Sequence, residues 1–172
     1  MRVKFFIILL FWFFLSCSSA YQENEKKNDS TALMLMNVNK YLVKKDTELI
    51  EKYCQRRQWQ MQVSKTGLWY LIYQHGKGKI AQKSKHVSVR FQSELLDGTP
   101  CYSSDSIGFK IIFLEYGAVE SGLLEGILFM HEGDKAHFIL LPHLAFGLLG
   151  DQKKIGPRSI IVYDIELIKI LD

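Results

Sequence analysis

The stretch VESGLLEGILFMHEGDKAHFILLPHLAFG, residues 119–147, begins with apolar residues at the spacing of a helix and continues with a pattern typical of a strand. Four apolar residues in its first half recur at helical spacing: Leu123, Leu124, Ile127 and Leu128. Lys135–Leu141 follows as a strand candidate. A short helix beside a strand of this kind favours an α+β domain, in which the helix packs on a sheet.

Further strands are predicted on both sides of this stretch. Period-two apolar patterns, rich in aromatic and β-branched residues, recur in four segments: Leu68–Tyr73, Val87–Leu96, Phe109–Leu114 and Ser159–Ile170. Asp97-Gly98 closes the second of these with a turn signal. The sequence therefore predicts several antiparallel strands around one central helix, in an α+β fold.

The N-terminus has the pattern of an export signal. Arg2 and Lys4 precede an unbroken apolar run of 11 residues, Phe5–Leu15. That run is shorter than the roughly 20 residues needed to span a bilayer as a helix. It matches the apolar core of a secretory signal, here residues 1–16, although an uncleaved anchor is an alternative.

Cys17 stands directly after this run, among serines, and the arrangement resembles the lipobox of bacterial lipoproteins. The resemblance implies cleavage before Cys17 and lipidation of its thiol, with plain secretion as the alternative. The lipid would hold the protein on a membrane of the cell envelope, and the absence of an acidic residue at Ser18-Ser19 favours the periplasmic side.

Two segments follow before the predicted domain. Residues 17–32 are polar, carry no apolar periodicity and are interpreted as a flexible tether. Residues 33–60 are interpreted as an amphipathic helix with five residues on one face: Leu42, Val43, Leu49, Ile50 and Tyr53. This helix is expected to pack on the domain or, alternatively, to serve dimerisation.

Composition and charge limit the possible functions. Without Arg2 and Lys4, 20 basic residues remain against 18 acidic ones, a net charge of +2 that gives no basis for nucleic-acid binding. Cys54 and Cys101 do not make a disulfide framework, and whether they pair stays open. The five histidines show no metal-ligand spacing: His75, His86, His131, His137 and His143.

Five motifs in order resemble those of the FK506-binding-protein (FKBP) family of peptidyl-prolyl isomerases. The first is a DG turn followed by a serine pair, Asp97-Gly98 with Ser103-Ser104, and the second is a G-x-x-E-G helix start, Gly122–Gly126. The third is an M-x-x-G-D-K segment that leads into a strand, Met130–Lys135. The last two are an A-aromatic-G loop, Ala145–Gly147, and a final strand of the form aromatic-D-x-E-L, Tyr163–Leu167. The resemblance implies an isomerase domain at 67–172, an antiparallel half-barrel sheet wrapped around one short helix. EYGAVESGLLEGI and LAFGLLGD further resemble lipoprotein isomerases associated with gliding motility.

The resemblance implies an aromatic-lined bowl, with no metal or organic cofactor, that binds proline-containing polypeptides. The residues carried over as its catalytic lining are Phe91, Tyr102, Phe109, Val119, Glu120, Leu123, Ala145, Phe146 and Tyr163, with Cys101 and Ile155 contacting the substrate. The backbone N–H at the Val119-Glu120 rim would receive a substrate carbonyl. Phe91, Leu123 and Tyr163 would equally serve as core residues in such a fold.

Three positions depart from the family pattern. Cys101-Tyr102 replaces the usual Phe-Asp pair, and Phe146 replaces the loop tyrosine. Two polar side chains of the implied bowl are therefore missing, and each lost hydrogen bond is worth about 1 kcal/mol. We expect a peptidyl-prolyl isomerase that assists folding of exported proteins, or alternatively a binding module or scaffold with little turnover. Cys101 is interpreted as a semi-buried structural cysteine, with a reactive thiol as the alternative.

Overall fold

The computed structural model describes residues 19–171, with side chains from residue 31 onward. The predicted signal peptide and the predicted lipidation site at Cys17 lie outside the described residues. The described chain divides after Lys45 into two compact units. No helix within 19–171 is both long enough and apolar enough to span a membrane.

Helix α1 runs over Ser19–Arg57 and is longer than expected. Its first fourteen residues are helical where the sequence predicts a tether, which corrects that interpretation for residues 19–32. Apolar periodicity is absent there, but Glu, Gln, Lys and Ala have high intrinsic helix propensity, which a search for amphipathic patterns does not register.

The last turns of α1 carry its buried face. Ile50, Tyr53 and Cys54 are buried, whereas Val43 and Leu49 are about two-fifths exposed. The predicted apolar face is therefore wrong for Val43 and Leu49. Ile50, Tyr53 and Cys54 lie at i, i+3 and i+4, and this narrower stripe packs against the sheet.

Within residues 19–171, seven antiparallel strands form one sheet. Their bounds are β1 Gln62–Val63, β2 Trp69–Gln74, β3 His86–Leu95, β4 Pro100–Ser103, β5 Lys110–Phe113, β6 Lys135–Leu140 and β7 Ile161–Leu171. Their order is β1-β2-β6-β7-β3-β4, and β5 pairs with β3. The five predicted strands correspond to β2, β3, β5, β6 and β7, and the sequence patterns do not predict β1 or β4.

Three short helical segments complete the fold: α2 Ser104–Ile107, α3 Ser121–Ile127 and a 3-10 turn Pro142–Leu144. Helix α3 is the predicted central helix and packs on the sheet through Gly126. A Cβ at Gly126 would lie 2.6 Å from the Phe138 ring, so only glycine allows this approach. The α+β prediction is confirmed.

The sheet has two unlike faces, because successive side chains of a strand point to opposite sides. The inner face, towards α3, carries the larger apolar cluster, with Phe91, Phe138 and Tyr163 among its members. The outer face, under the end of α1, carries a second cluster with Tyr53, Ile139 and Val162. The predicted bowl residues belong to the inner face.

Candidate functional site

The inner apolar cluster brings together most of the predicted bowl. Five of the predicted residues are buried in it: Phe91, Cys101, Leu123, Ile155 and Tyr163. Four more are partly buried and pack against it: Tyr102, Val119, Ala145 and Phe146. They come from β3, β4, β7, α3 and the loops beside α3 and the 3-10 turn, so the sheet and its central helix jointly build the part of the core where the bowl is predicted.

Two aromatic rings lie at the centre of the bowl. Phe91 on β3 and Tyr163 on β7 have ring centroids 6.0 Å apart and tilted by 48°. The Phe91 backbone N–H donates to the Ser104 hydroxyl at 3.0 Å, and Ser104 is itself buried. The Ser103 hydroxyl accepts from the Asp105 N–H at 3.1 Å and caps α2. The serine pair thus fastens β4 and α2 to the strand that carries Phe91.

Glu120, immediately before α3, places its carboxylate against the second ring. The Tyr163 hydroxyl donates to Glu120 Oε1 at 3.2 Å. Burial, followed by the Glu120 charge and hydrogen bond, raises the pKa of Tyr163 well above its usual value. Tyr163 therefore stays protonated and remains a hydrogen-bond donor.

Phe109 does not line the bowl, which corrects its predicted role. Its ring is 59% exposed and lies 5.1 Å beneath the Arg90 guanidinium. Strand pairing sets Lys110 opposite the buried Val89, so Lys110 takes the inward position. The Lys110 ammonium lies 5.7 Å from the centre of the Phe91 ring. The motif spacing alone did not show which alternate residues of β5 face inward.

The predicted residue Tyr102 ties β4 to the loop after the 3-10 turn. Its hydroxyl donates a short hydrogen bond to Asp151 Oδ2. Asp151 Oδ1 accepts the backbone N–H groups of Lys153 and Ile155 at 2.9 and 2.8 Å. Asp151 is a bowl-rim residue that sequence reasoning missed, because it lies 49 positions from Tyr102 and no motif contains both.

The hydrogen bond between Tyr102 and Asp151 shifts the pKa of both groups. Burial opposes ionisation of Asp151, but the Tyr102 hydroxyl and the backbone N–H donors prevail and lower its pKa. The same hydrogen bond raises the pKa of Tyr102. Lys154, also missed, donates from Nζ to the Cys101 carbonyl at 2.8 Å and lies 5.3 Å from the Tyr102 ring centre. The loop is thereby held to β4 at two points.

Cys101 and Cys54 are both free thiols. Cys101 is buried in the inner cluster, and burial raises its pKa. A raised pKa lowers the thiolate fraction and therefore the reactivity. The structure agrees with a structural role for Cys101 and disfavours a reactive thiol.

A separate cleft of about 440 Å³ lies on the outer face of the sheet. Of the predicted site residues, only Cys101 and Tyr102 reach its lining, which otherwise includes Arg57, Trp59 and His137. The Trp59 and His137 rings stack with centroids 3.9 Å apart. Tyr73 stacks on the far side of His137 at 4.4 Å. The cleft is therefore distinct from the bowl.

The sequence matches the family model described as FKBP-type peptidyl-prolyl cis-trans isomerase over residues 77–168. The chain belongs to this family. The matched segment contains Phe91, Tyr102, Glu120, Leu123 and Tyr163, so the bowl lies in the part that defines an FKBP-type domain.

Similar proteins carry the same description. The chain is 36% identical over 105 residues to a probable FKBP-type peptidyl-prolyl cis-trans isomerase FkpA of Neisseria meningitidis, covering 61% of this chain and 38% of the relative. It is 31% identical over 126 residues to FkpA of Escherichia coli, covering 73% and 45%. The chain thus spans less than half the length of these two relatives.

The fold is also that of solved family members. The crystal structure of FkpA from Escherichia coli superposes with a TM-score of 0.64 at 24% identity, covering 99% of this chain and 82% of that one. AtFKBP13 superposes with a TM-score of 0.62 at 28% identity, covering 65% and 99%. The expected FKBP-like fold is confirmed.

An FKBP-type bowl of this composition suits rotation about an amide bond. The barrier near 20 kcal/mol arises because amide resonance is lost in the twisted state. A twisted amide has less charge separation than a planar one, so an apolar surface favours it over water. Phe91, Leu123 and Tyr163 supply apolar side chains at this place, although they are only 3–7% exposed in the free protein.

Proposed function

We propose that this protein catalyses cis–trans isomerisation of X–Pro bonds in polypeptides. The observation that carries the proposal is the convergence of nine family-position residues on one inner cluster, within the segment matched by the isomerase family model. Catalysis would need no proton transfer, because the bowl lowers the cost of twisting the amide and fixes its flanks.

A peptide assay tests this proposal directly. The full chain is added to a short X–Pro peptide, and the relaxation of its cis fraction is followed at low temperature, where the uncatalysed reaction takes minutes. Relaxation that accelerates in proportion to protein concentration supports the activity. A rate equal to the background, with folding verified by circular dichroism, contradicts it.

A non-catalytic binding module is the second candidate, favoured by the identities of Tyr102 and Phe146. Tyr102 gives its hydroxyl to Asp151 and stands where the family has a carboxylate, while Phe146 has no hydroxyl. A double variant, Cys101→Phe with Tyr102→Asp, restores the family pair. Activity that is absent in the unmodified chain and gained in the folded variant would favour the binding module.

The cellular setting is proposed from the N-terminal sequence. The export signal at 1–16 and the lipobox-like Cys17 support a lipid-anchored protein in the cell envelope, facing the periplasm and assisting folding of exported proteins. Labelled palmitate that is incorporated into the natural chain but not into Cys17→Ser would support the anchor. Equal incorporation in the two would contradict it.

A link to gliding motility is proposed from the subfamily resemblance of residues 115–127 and 144–151. Deletion of the gene in a gliding bacterium should then reduce cell movement on agar, and re-expression should restore it. Unchanged movement in the deletion strain would contradict the link while leaving the isomerase proposal intact.

A further inference from the structure

The Glu120 side chain is an acidic group in an otherwise apolar bowl. Its Oε1 accepts the Tyr163 hydroxyl at 3.2 Å. Its Oε2 is buried and has no hydrogen-bond partner among the residues that the structure describes. The rim residue expected to offer a backbone donor to the substrate thus also holds an acceptor with unused capacity.

An unused carboxylate oxygen in such a place favours a donor from a ligand. A buried acceptor without a partner costs free energy, and a charged one costs more than a neutral one. A cation that supplies the missing hydrogen bond recovers that cost and adds Coulomb attraction, which is strong where water is excluded. A carboxylate or an apolar side chain supplies neither.

Other charges at the bowl do not cancel this effect. The Lys110 ammonium lies over the Phe91 ring, and because Lys110 is only half-buried, water screens its charge. Asp151 and Lys154 are engaged by Tyr102 and by the Cys101 carbonyl. Because Glu120 Oε2 is itself buried, Glu120 is the charge that a bound residue at the bowl rim would meet with least screening.

We propose that Glu120 makes this bowl selective for proline segments in which lysine or arginine directly neighbours the proline. The inference rests on the proposed isomerase function and names its substrate class. The Glu120 backbone N–H would receive a carbonyl flanking the proline, so the side chain of the same residue lies beside the neighbour of that proline. Tyr163 bonds Oε1, and rotation of the partly buried Glu120 side chain would present Oε2, which is buried in the free protein, to the substrate cation.

The test compares peptides that differ only in one charge. Short peptides carry lysine before or after proline, each matched by norleucine, which keeps the chain length and removes the ammonium. We expect kcat/KM of the full chain to be about tenfold higher for lysine than for norleucine at one of the two positions. In Glu120→Gln, which keeps the shape and removes the charge, that ratio falls to within about twofold.

Further variants isolate the effect. Glu125→Gln removes a charge from the same helix at a residue that bonds the Thr66 hydroxyl, outside the bowl, and should keep the tenfold ratio. Tyr163→Phe keeps the Glu120 charge but removes the bond that orients the carboxylate, so the lysine preference should weaken. Should Glu120→Gln fail to fold by circular dichroism, Glu120→Leu removes the same charge with an apolar side chain, and its ratio should also fall to within about twofold. A ratio near one for both positions in the unmodified chain, or a tenfold ratio that survives in Glu120→Gln, would overturn the inference.

Binding measurements distinguish failure of the selectivity proposal from failure of the isomerase proposal. If no peptide is isomerised faster than background, the dissociation constants of the same peptides are measured by calorimetry. Tenfold tighter binding of the lysine peptide, lost in Glu120→Gln, supports the selectivity on a non-catalytic bowl. Equal affinity for lysine and norleucine peptides contradicts it.

Discussion

The two faces of the central sheet use aromatic residues in different ways. On the inner face Phe91 and Tyr163 lie in an apolar cluster, and the nearby charges, Glu120 and Lys110, sit at its margin. On the outer face Tyr53 and Arg57 both donate to Glu94 Oε1, at 2.8 and 3.1 Å. Each face leaves one buried side-chain atom without a hydrogen-bond partner among the described residues: Glu120 Oε2 on the inner face and His137 Nδ1 on the outer face.

The polar contacts of the outer face attach the end of the long helix to the sheet. The outer cluster holds the end of α1 through Ile50, Tyr53 and Cys54. Burial and the Glu94 carboxylate raise the pKa of Tyr53 to about 12, so its hydroxyl stays a donor. Tyr73 likewise donates to Asp164 Oδ1 at 2.7 Å. Glu94 and Asp164, the acceptors of these bonds, also line the cleft of about 440 Å³, so this face both attaches α1 and carries an opening.

The largest expected effect comes from the inner core. Phe138→Ala removes a fully buried ring that packs against α3 at Gly126, and should lower the free energy of unfolding by about 3–5 kcal/mol. Urea denaturation measures the loss. Phe113→Ala, at a ring that is 37% exposed, is the matched control and should cost much less. Equal losses for the two would contradict the assignment of the core to the inner face.

A smaller effect is expected at the rim of the bowl. Tyr102→Phe removes a hydrogen bond to a carboxylate and should lower the free energy of unfolding by much less than Phe138→Ala does, because solvent screens this contact. Because the folded-state pKa of Asp151 is lowered, this carboxylate contributes stability above its ordinary pKa of 3.8 and loses it as the pH falls through the folded-state value.

A double-mutant cycle with Asp151→Asn tests the rim contact. The coupling energy at pH 7 should be at least about 0.5 kcal/mol. Additive losses from the two substitutions would show that Tyr102 and Asp151 do not stabilise the fold through their mutual contact.

A substitution on the outer face should lower the stability of the protein without changing turnover in the bowl. Tyr53→Phe removes the donor to Glu94 and is expected to lower the free energy of unfolding by about 1 kcal/mol. Turnover of an X–Pro peptide should stay unchanged, since Tyr53 belongs to the outer cluster. Tyr41→Phe, at a ring that is 66% exposed, controls for loss of a phenol. A fall in turnover for Tyr53→Phe at full folding would contradict the independence of the two faces.

The smallest effect concerns pH and His137. Burial lowers the pKa of His137 below its ordinary 6.5, although the nearby Asp164 opposes this shift. Below about pH 6.5 the unfolded chain therefore binds a proton that the folded chain does not, and stability falls as the pH is lowered. His137→Gln should lose stability less steeply between pH 6.5 and 5 in urea titrations.

The exposed His75 provides the matched control for that slope. His75→Gln should leave the pH dependence of unfolding unchanged. If the free energy of unfolding of both variants falls with pH as steeply as that of the unmodified chain, protonation of His137 does not cause the pH dependence.

The sequence by itself determined the order of the main elements and the family. Period-two patterns located β2, β3, β5, β6 and β7 because alternate side chains of a half-buried strand meet different environments. β1 has only two residues and cannot show a period, and β4, Pro-Cys-Tyr-Ser, lacks the β-branched residues that mark β5 although the two strands are equally long. The helical start at Ser19 was missed because a polar helix has no apolar pattern.

Tertiary structure alone decided the polar details of the bowl. In and just before β5, apolar residues occupy both sets of alternate positions, so the sequence does not show which set faces inward. The pairing of β5 with β3 places Lys110 on the inner side, and Phe109 lies outside, next to Arg90. Tyr163 meets Glu120 across 43 positions of chain. Contacts of this kind depend on how strands and loops pack, and no local period records them. The motifs therefore indicated most residues that gather in the inner cluster, but neither the orientation of Phe109 nor the contacts of the charged groups.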